Sequence, residues 1–250
     1  MWHEIALRRA LVTADAFVVP SHATAGDLAH AGAPQETSRV IPYGADHLAS
    51  PDVGGTAALL HRLGIKGEFL LSVGTAEPRK KIGRLLAAYR IARLQLPEPW
   101  PFLLGGPSGA RNESLSIDPV GVHRLGKVDS GILAGLYAKA RLFAYVPLME
   151  GFGFPPVEAM YSGTPVVVST QVPSVRQWRD GGVAFVVDPN DPESIAVGLV
   201  STATDGARRR SIQGRGEWFA RSLTWYATAS LIKNYGCLFA EPNTCKSTMT

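Results

Sequence analysis

Cysteine is scarce in this sequence, and long apolar runs are missing. Only two of the 250 residues are cysteines, Cys237 and Cys245, and both stand near the C-terminus. This content excludes a disulfide-rich scaffold and a cysteine metal cluster, and it fits a reducing setting. No apolar run reaches the roughly 18 residues that a membrane-spanning helix needs. We therefore expect a cytoplasmic protein that is soluble or makes at most peripheral membrane contact.

Strong charge runs are also few. The formal net charge is +4, and the basic trios 79–81 and 208–210 are the main clusters in the sequence. Because no basic stripe alternates with aromatic residues, nucleic-acid binding is not expected. No cluster of metal-ligating residues is visible, so no metal cofactor is predicted. The composition, 46% hydrophobic and 18% charged, is typical of a globular protein with a substantial core.

The most informative stretch of the chain is 148–160, Leu-Met-Glu-Gly-Phe-Gly-Phe-Pro-Pro-Val-Glu-Ala-Met. It follows an apolar run at 142–146 that reads as a buried strand, and it leads into a helical pattern. Gly151 and Gly153 permit backbone conformations closed to other residues, and two prolines suit a first helical turn. The pattern therefore predicts a strand, a glycine turn and a helix whose N-terminus can bind an anion.

Two carboxylates, Glu150 and Glu158, bracket this predicted anion site. Two carboxylate oxygens can accept hydrogen bonds from two adjacent hydroxyls, so a phosphate flanked by a sugar diol is the ligand that fits best. Such a ligand is a nucleotide or a nucleotide sugar. Taken alone, however, a Gly-x-Gly turn is common in α/β proteins, and Glu158 could be a first-turn glutamate stabilised by the helix dipole.

A second loop, Gly74–Lys81, follows the apolar strand predicted at 68–73. Arg79 and Lys80 at the carboxyl end of a strand can neutralise a diphosphate leaving group. The alternative is a solubilising charge pair. Cations at a helix start are unfavourable to the helix dipole, which makes a bound anion the better explanation.

These motifs together resemble a known family, the retaining GT-B glycosyltransferases of glycosyltransferase family 4 (group 1). The spacing of Glu150 and Glu158 is similar to the family's E-x7-E motif, and Gly74–Lys80 resembles its phosphate loop. Lys81 stands where asparagine is common in that loop. Further matches occur in the family's order at 126–128, 136–137, 140–141, 158–160, 163–167 and 187–189.

The resemblance implies a fold: a doubly wound, Rossmann-like parallel sheet of about six strands, the C-terminal donor-binding half of a GT-B enzyme. Residues 1–45 would be a remnant of an N-terminal domain and hinge, that domain being mostly missing. Residues 46–205 would bind the nucleotide sugar, 206–240 would be crossover helices, and 241–250 a disordered tail. From residue 46, the Ser-Pro and Gly-Gly pairs predict a linker that runs to the strand at 68–73.

The implied function is transfer of a hexose, with a weak preference for mannose, from a nucleoside diphosphate sugar to an unknown acceptor with retention. The residues implied as catalytic are Glu150, Lys80 and Arg79, the last two contacting the diphosphate and Glu150 the sugar hydroxyls. The residues implied as donor-binding are Gly74, Gly151, Phe152, Gly153 and Glu158. The alternative is a nucleotide-sugar-binding subunit, or an inactive remnant, that needs a separate acceptor domain.

The same resemblance also predicts protein partners. In relatives the last helix crosses back onto the N-terminal domain. The apolar side chains of that helix are therefore expected to be exposed here: Trp225, Leu231, Ile232 and Tyr235. Self-association or an acceptor-domain partner chain would cover them.

Overall fold

The computed structural model describes residues 2–75, 77–107, 120–176 and 181–237. The chain divides into two units. The smaller unit contains the residues up to Gly44 together with those from Leu223 onward, and the larger unit runs from Ala45 to Ser222. The tail expected at 241–250 lies outside the described residues.

The smaller unit contains three helices, α1 (Trp2–Thr13), α2 (His22–His30) and α10 (Trp225–Gly236), and two short parallel strands, β1 (Phe17–Val19) and β2 (Ser38–Val40). Ser21 caps α2 by accepting a hydrogen bond from the amide of Thr24 at 3.1 Å. Gly44 permits a close approach, because a Cβ there would lie 2.2 Å from the Trp225 nitrogen.

The apolar residues of α10 are exposed only in part. Trp225, Leu231 and Ile232 are exposed, as the sequence predicts, whereas Tyr235 is only partly exposed. The Trp225 ring, however, stacks on Tyr43 with a centroid distance of 5.6 Å. The Tyr235 hydroxyl donates to the carbonyl of Thr37 at 3.2 Å. Trp225 and Tyr235 therefore have partners within the smaller unit.

The larger unit is built on a six-stranded, wholly parallel sheet. Its strands are β3 (Leu70–Val73), β4 (Phe102–Gly105), β5 (Val122–Gly126), β6 (Leu142–Tyr145), β7 (Val166–Ser169) and β8 (Phe185–Val187). The spatial order is β5-β4-β3-β6-β7-β8. The chain therefore winds outward from β3 in one direction and, after β6, in the other. The predicted doubly wound sheet is confirmed, and its topological switch point lies between β3 and β6.

Helices cover both faces of this sheet. The larger unit contains α3 (Val53–Arg62), α4 (Ile82–Arg93), α5 (Ser130–Lys139), α6 (Phe154–Tyr161), α7 (Pro173–Arg176), α8 (Pro192–Thr204) and α9 (Gly206–Ser222). Leu86 of α4 and Leu199 of α8 share a buried core cluster with Leu70 and Leu142, which lie on one face of the sheet. On the other face Tyr137 of α5 makes an edge contact with Phe143 of β6 at 5.4 Å. Burial on both faces explains why the central strands are mostly apolar, with Ser72 of β3 a buried polar residue.

The prediction of a linker from residue 46 to the strand at 68–73 is wrong, because helix α3 occupies Val53–Arg62. Asp52 caps the helix by accepting a hydrogen bond from the amide of Gly55 at 2.8 Å. The helix packs on α5 so closely that a Cβ at Gly135 would lie 2.1 Å from the hydroxyl oxygen of Thr56. Tertiary packing thus overrides the low helix propensity of two adjacent glycines.

Among the described residues, no helix is long and apolar enough to cross a membrane. Within the same residues no group of three or more His, Cys, Asp or Glu side chains could hold a metal ion. Cys237 is disulfide-bonded, so the cysteine content does not support the predicted reducing setting.

Candidate functional site

The candidate site lies where β3 and β6 end, at the topological switch point. After β3 the chain forms one 3-10 turn, Pro78–Lys80, before α4 begins. After β6 it passes through the Glu150 loop into α6. The amide of Leu148 donates to the carbonyl of Arg79 at 2.8 Å, which ties the two loops together. The strand order therefore brings the predicted phosphate loop against the predicted E-x7-E turn.

Three donors converge on one oxygen of Glu150. Arg79 donates to Oε1 from Nη1 at 2.9 Å, the Tyr145 hydroxyl donates to the same atom at 2.8 Å, and the Lys80 ammonium also hydrogen-bonds to it. Lys80 also donates to the Tyr145 hydroxyl. The structure thus brings together all three residues predicted as catalytic. Tyr145 was not singled out from the sequence, where it is one apolar-strand residue among several.

Burial differs among these charged groups. The side chains of Lys80 and Glu150 are only 10% and 11% exposed, whereas Arg79 is 41% exposed and pairs also with the half-exposed Glu77 at 2.7 Å. Burial, followed by the nearby charge of Glu150, raises the pKa of Tyr145. Its hydroxyl therefore stays protonated and acts as a donor. The buried Lys80 and Glu150 compensate each other's charge.

Gly74 and Gly106 allow the loops that follow β3 and β4 to approach each other closely. The amide of Gly74 donates to the carbonyl of Gly105 at 2.9 Å. Gly106 has a φ of +124°, and a Cβ there would lie 2.2 Å from the Gly74 carbonyl oxygen. A small cavity of about 40 Å³ lies beside Gly74 and Arg124.

The turn from Glu150 into α6 is fixed by a second close approach. Gly151 is exposed, while Phe152 and Gly153 are buried. Gly153 has a φ of +95°, and a Cβ there would lie 2.7 Å from a methyl carbon of Val172. The amide of Ser174 donates to the Phe152 carbonyl at 2.9 Å. Gly153 is the N-cap of α6. Because glycine has no side chain, it offers no side-chain acceptor to the first backbone amides of this helix.

Glu158 is held by a different set of partners. The buried Tyr137 hydroxyl donates to Oε2 at 3.0 Å, and Nε2 of His47 lies 3.0 Å from Oε1. Burial, followed by the charge of Glu158, raises the pKa of Tyr137 well above its usual value. His47 could not be predicted as a partner of Glu158, because it lies 111 positions earlier, in the stretch predicted to be a linker.

Aromatic rings pack on one another in the segment between the two carboxylates. Phe152 contacts Phe154 with a centroid distance of 5.2 Å, and His47 meets Phe154 edge-on at 5.4 Å. Glu150 precedes Phe152 and Phe154 in the chain, and Glu158 follows them on α6. The fold and this arrangement define the class of doubly wound α/β proteins that carry polar loops at the switch point.

Sequence comparison identifies the family within that class. The profile described as glycosyl transferases group 1 matches residues 61–217, more than half of the chain. The chain belongs to this family, as its motifs predict. It is 34% identical over 165 residues to O-antigen chain mannosyltransferase B of Escherichia coli, covering 63% of this chain and 42% of that protein. It is 33% identical over 216 residues to D-inositol 3-phosphate glycosyltransferase of Kineococcus radiotolerans, covering 76% of this chain and 49% of that protein.

Structural comparison agrees with the fold described above. Anabaena Alr3699/HepE, solved in complex with UDP and glucose, superposes with a TM-score of 0.78 at 20% identity, covering 94% of this chain and 66% of that one. WaaG, a glycosyltransferase involved in lipopolysaccharide biosynthesis, gives a TM-score of 0.72 at 19% identity, covering 92% and 66%. These likenesses show the fold. The chain spans less than half the length of the two curated relatives above.

Proposed function

We propose that this chain binds a nucleoside diphosphate sugar and takes part in transfer of its hexose to an acceptor. The observation that carries the proposal is the meeting of Arg79, Lys80 and Glu150 at the switch point of the sheet. Open α/β sheets take ligands at this position. Membership in the glycosyl transferases group 1 family supports sugar transfer as the reaction.

The two cations are the proposed diphosphate site. Arg79 and Lys80 both pair with Glu150, and Arg79 also pairs with Glu77. A diphosphate carries more negative charge than one carboxylate, so it competes effectively for the same cations. Charge that develops on the leaving diphosphate would then be stabilised by groups already in place. Glu150, once released, can accept hydrogen bonds from hydroxyls of the transferred sugar.

The start of α6 is the proposed site for the other end of the donor. The amides of Phe152 and Gly153 lie at the positive end of the helix dipole, which favours a phosphate or sugar oxygen. Glu158, one turn further, is proposed to accept hydrogen bonds from the two ribose hydroxyls. Gly74 and Gly151 contribute backbone that a ligand can approach closely, since neither carries a side chain.

The proposed sugar is mannose, and the proposed outcome is retention. Several relatives carry the name mannosyltransferase, among them the Escherichia coli protein above. Retention requires no enzyme nucleophile if the departing phosphate deprotonates the acceptor on the same face of the sugar. The one-bond coupling between C1 and H1 of the product, measured by NMR, would distinguish retention from inversion, because the H1–H2 coupling is small in both mannose anomers.

Calorimetric titration with GDP, UDP and ADP tests the donor site. We expect one of them to bind, and Glu158→Ala to weaken that binding by about 1–3 kcal/mol because the ribose hydroxyls lose a charged acceptor. The matched control is Glu193→Ala, an exposed glutamate of α8. Equal affinity of wild type and folded Glu158→Ala would remove Glu158 from the site.

Turnover separates transfer from binding alone. Consumption of GDP-mannose or UDP-glucose by the pure chain with an added acceptor would support a transferase. Lys80→Ala should abolish this turnover, whereas Lys66→Ala, an exposed lysine outside the site, should not. Tight nucleotide binding without turnover would instead favour a binding subunit that acts with a separate acceptor chain.

A further inference from the structure

His47 shields the carboxylate that the proposed function assigns to the ribose. Both oxygens of Glu158 are engaged, Oε2 by Tyr137 and Oε1 by His47. The Glu158 side chain is only 14% exposed, whereas His47 is 39% exposed. Tyr137 is fully buried. The solvent-side partner of Glu158 is therefore the imidazole, and the tyrosine lies on the protein side.

The position of His47 is set by packing as well as by this hydrogen bond. Its ring meets Phe154, the first residue of α6, edge-on with an interplanar angle of 86°. The segment that contains His47 is hydrogen-bonded to the start of α5, because the amide of Asp52 donates to the carbonyl of Gly131 at 2.9 Å. This contact keeps the segment beside α5, the helix that also carries Tyr137.

We propose that His47 is a reversible cover on Glu158, which a ribose diol must displace in order to bind. The inference rests on the proposed function, since it takes Glu158 as the diol acceptor. Two hydroxyls cannot both reach a carboxylate with so little exposed surface while the imidazole stays in place. The buried tyrosine cannot leave, so the exposed histidine is the partner that exchanges.

A cover of this kind reduces apparent affinity by internal competition. Only the fraction of molecules with His47 displaced can accept the diol, and the observed dissociation constant rises by the inverse of that fraction. Competition from one hydrogen bond to a charged acceptor corresponds to a change of about 3- to 10-fold at a partly exposed site. His47 is thus a positioning residue that acts through Glu158: it lowers the affinity for ligands carrying a diol and leaves the affinity for ligands without one unchanged.

Two probes separate this role from a merely structural one. The nucleoside diphosphates GDP, UDP and ADP carry the diol, whereas inorganic pyrophosphate carries none and would contact only Arg79 and Lys80. In His47→Ala we expect the nucleotide that binds to do so about 3- to 10-fold more tightly. Pyrophosphate affinity should stay the same. His61→Ala, an exposed histidine of α3, should change neither affinity.

A double variant completes the test. In a Glu158→Ala background there is no carboxylate to cover, so adding His47→Ala should leave nucleotide affinity where Glu158→Ala alone puts it. Tighter nucleotide binding in His47→Ala that disappears in the double variant supports the cover. If wild type binds a nucleotide and His47→Ala binds it equally or more weakly, the cover is wrong and the proposed function stands. If neither protein binds GDP, UDP or ADP, the proposed function and the cover fail together.

Discussion

Glu150 and Glu158 begin and end one motif, yet the protein holds them in different ways. One oxygen of Glu150 accepts hydrogen bonds from Arg79, Lys80 and the Tyr145 hydroxyl. Glu158 forms hydrogen bonds with Tyr137 and His47 through separate oxygens. Within the described part of the chain, no lysine or arginine pairs with Glu158. One carboxylate is fixed by permanent charges across the switch point, and the other by a hydroxyl and an imidazole.

The difference bears on what each carboxylate can exchange for a ligand. In the proposed function, Arg79 and Lys80 would exchange Glu150 for an anion of higher charge, a phosphate. Glu158 would exchange its imidazole partner for a pair of neutral hydroxyls. In both places the protein satisfies its own polar groups, as buried groups require. Three predictions test this contrast through the free energy of unfolding.

The largest expected effect is that of Glu150→Ala. This change leaves the buried Lys80 without its carboxylate, and the free energy of unfolding should fall by about 3–5 kcal/mol. Glu158→Ala leaves only the Tyr137 hydroxyl unpaired on the protein side, at a cost of about 1–2 kcal/mol. Urea unfolding of both variants, with Glu193→Ala as the control, measures the two losses. Equal losses, or a larger one for Glu158→Ala, would contradict the contrast.

A smaller effect is expected from the two tyrosines at high pH. The pKa values of Tyr137 and Tyr145 are raised, chiefly by burial. The unfolded chain releases these protons near pH 10 and the folded chain does not, so their contribution is intact below about pH 10 and is lost above it. Each tyrosine should steepen the alkaline loss of stability by up to about 1.4 kcal/mol per pH unit.

Tyr137→Phe and Tyr145→Phe should each make the unfolding free energy fall less steeply between pH 10 and 11. Urea unfolding at pH 9, 10 and 11 provides the measurement. Tyr226→Phe, an exposed tyrosine of α10, is the matched control and should leave the wild-type slope intact. The prediction does not survive if both buried-site variants retain that slope.

The smallest effect concerns the starts of the two helices that follow these loops. Both α4 and α6 begin after a residue in the left-handed region, Lys81 with a φ of +52° and Gly153 with a φ of +95°. Within the described ranges, Lys81 is the only residue other than glycine with a positive φ. Lys81→Gly should stabilise the protein by about 0.5–1 kcal/mol, because a left-handed side-chain-bearing residue costs more than the added freedom of glycine.

Lys81→Ala provides the control for this prediction. It removes the same charge and stem but keeps a Cβ, so the backbone strain remains. Urea midpoints of the two variants should therefore differ, with the glycine variant the more stable. Identical midpoints would show that the left-handed backbone at Lys81 carries no strain.

Much of the fold could be predicted from local sequence. The apolar run at 142–146 and the alternation of strands with helices predict a parallel sheet, because only strands buried on both faces lack polar alternation. Asp191 with Pro192 and Thr224 with Trp225 mark the starts of α8 and α10 where the structure has them. Helix α3 could not be predicted, because its two glycines oppose it locally and its stability comes from packing on α5.

The sequence by itself determined which residue types follow each strand: Arg79 and Lys80 after β3, and a glycine turn between two glutamates after β6. Only the tertiary structure decided that β3 and β6 are neighbours, which places the cations on Glu150 across about 70 positions of chain. It also decided that His47 reaches Glu158. Local periodicity carries no information about such long-range partners, because strand order and helix packing are set by burial of the whole sheet.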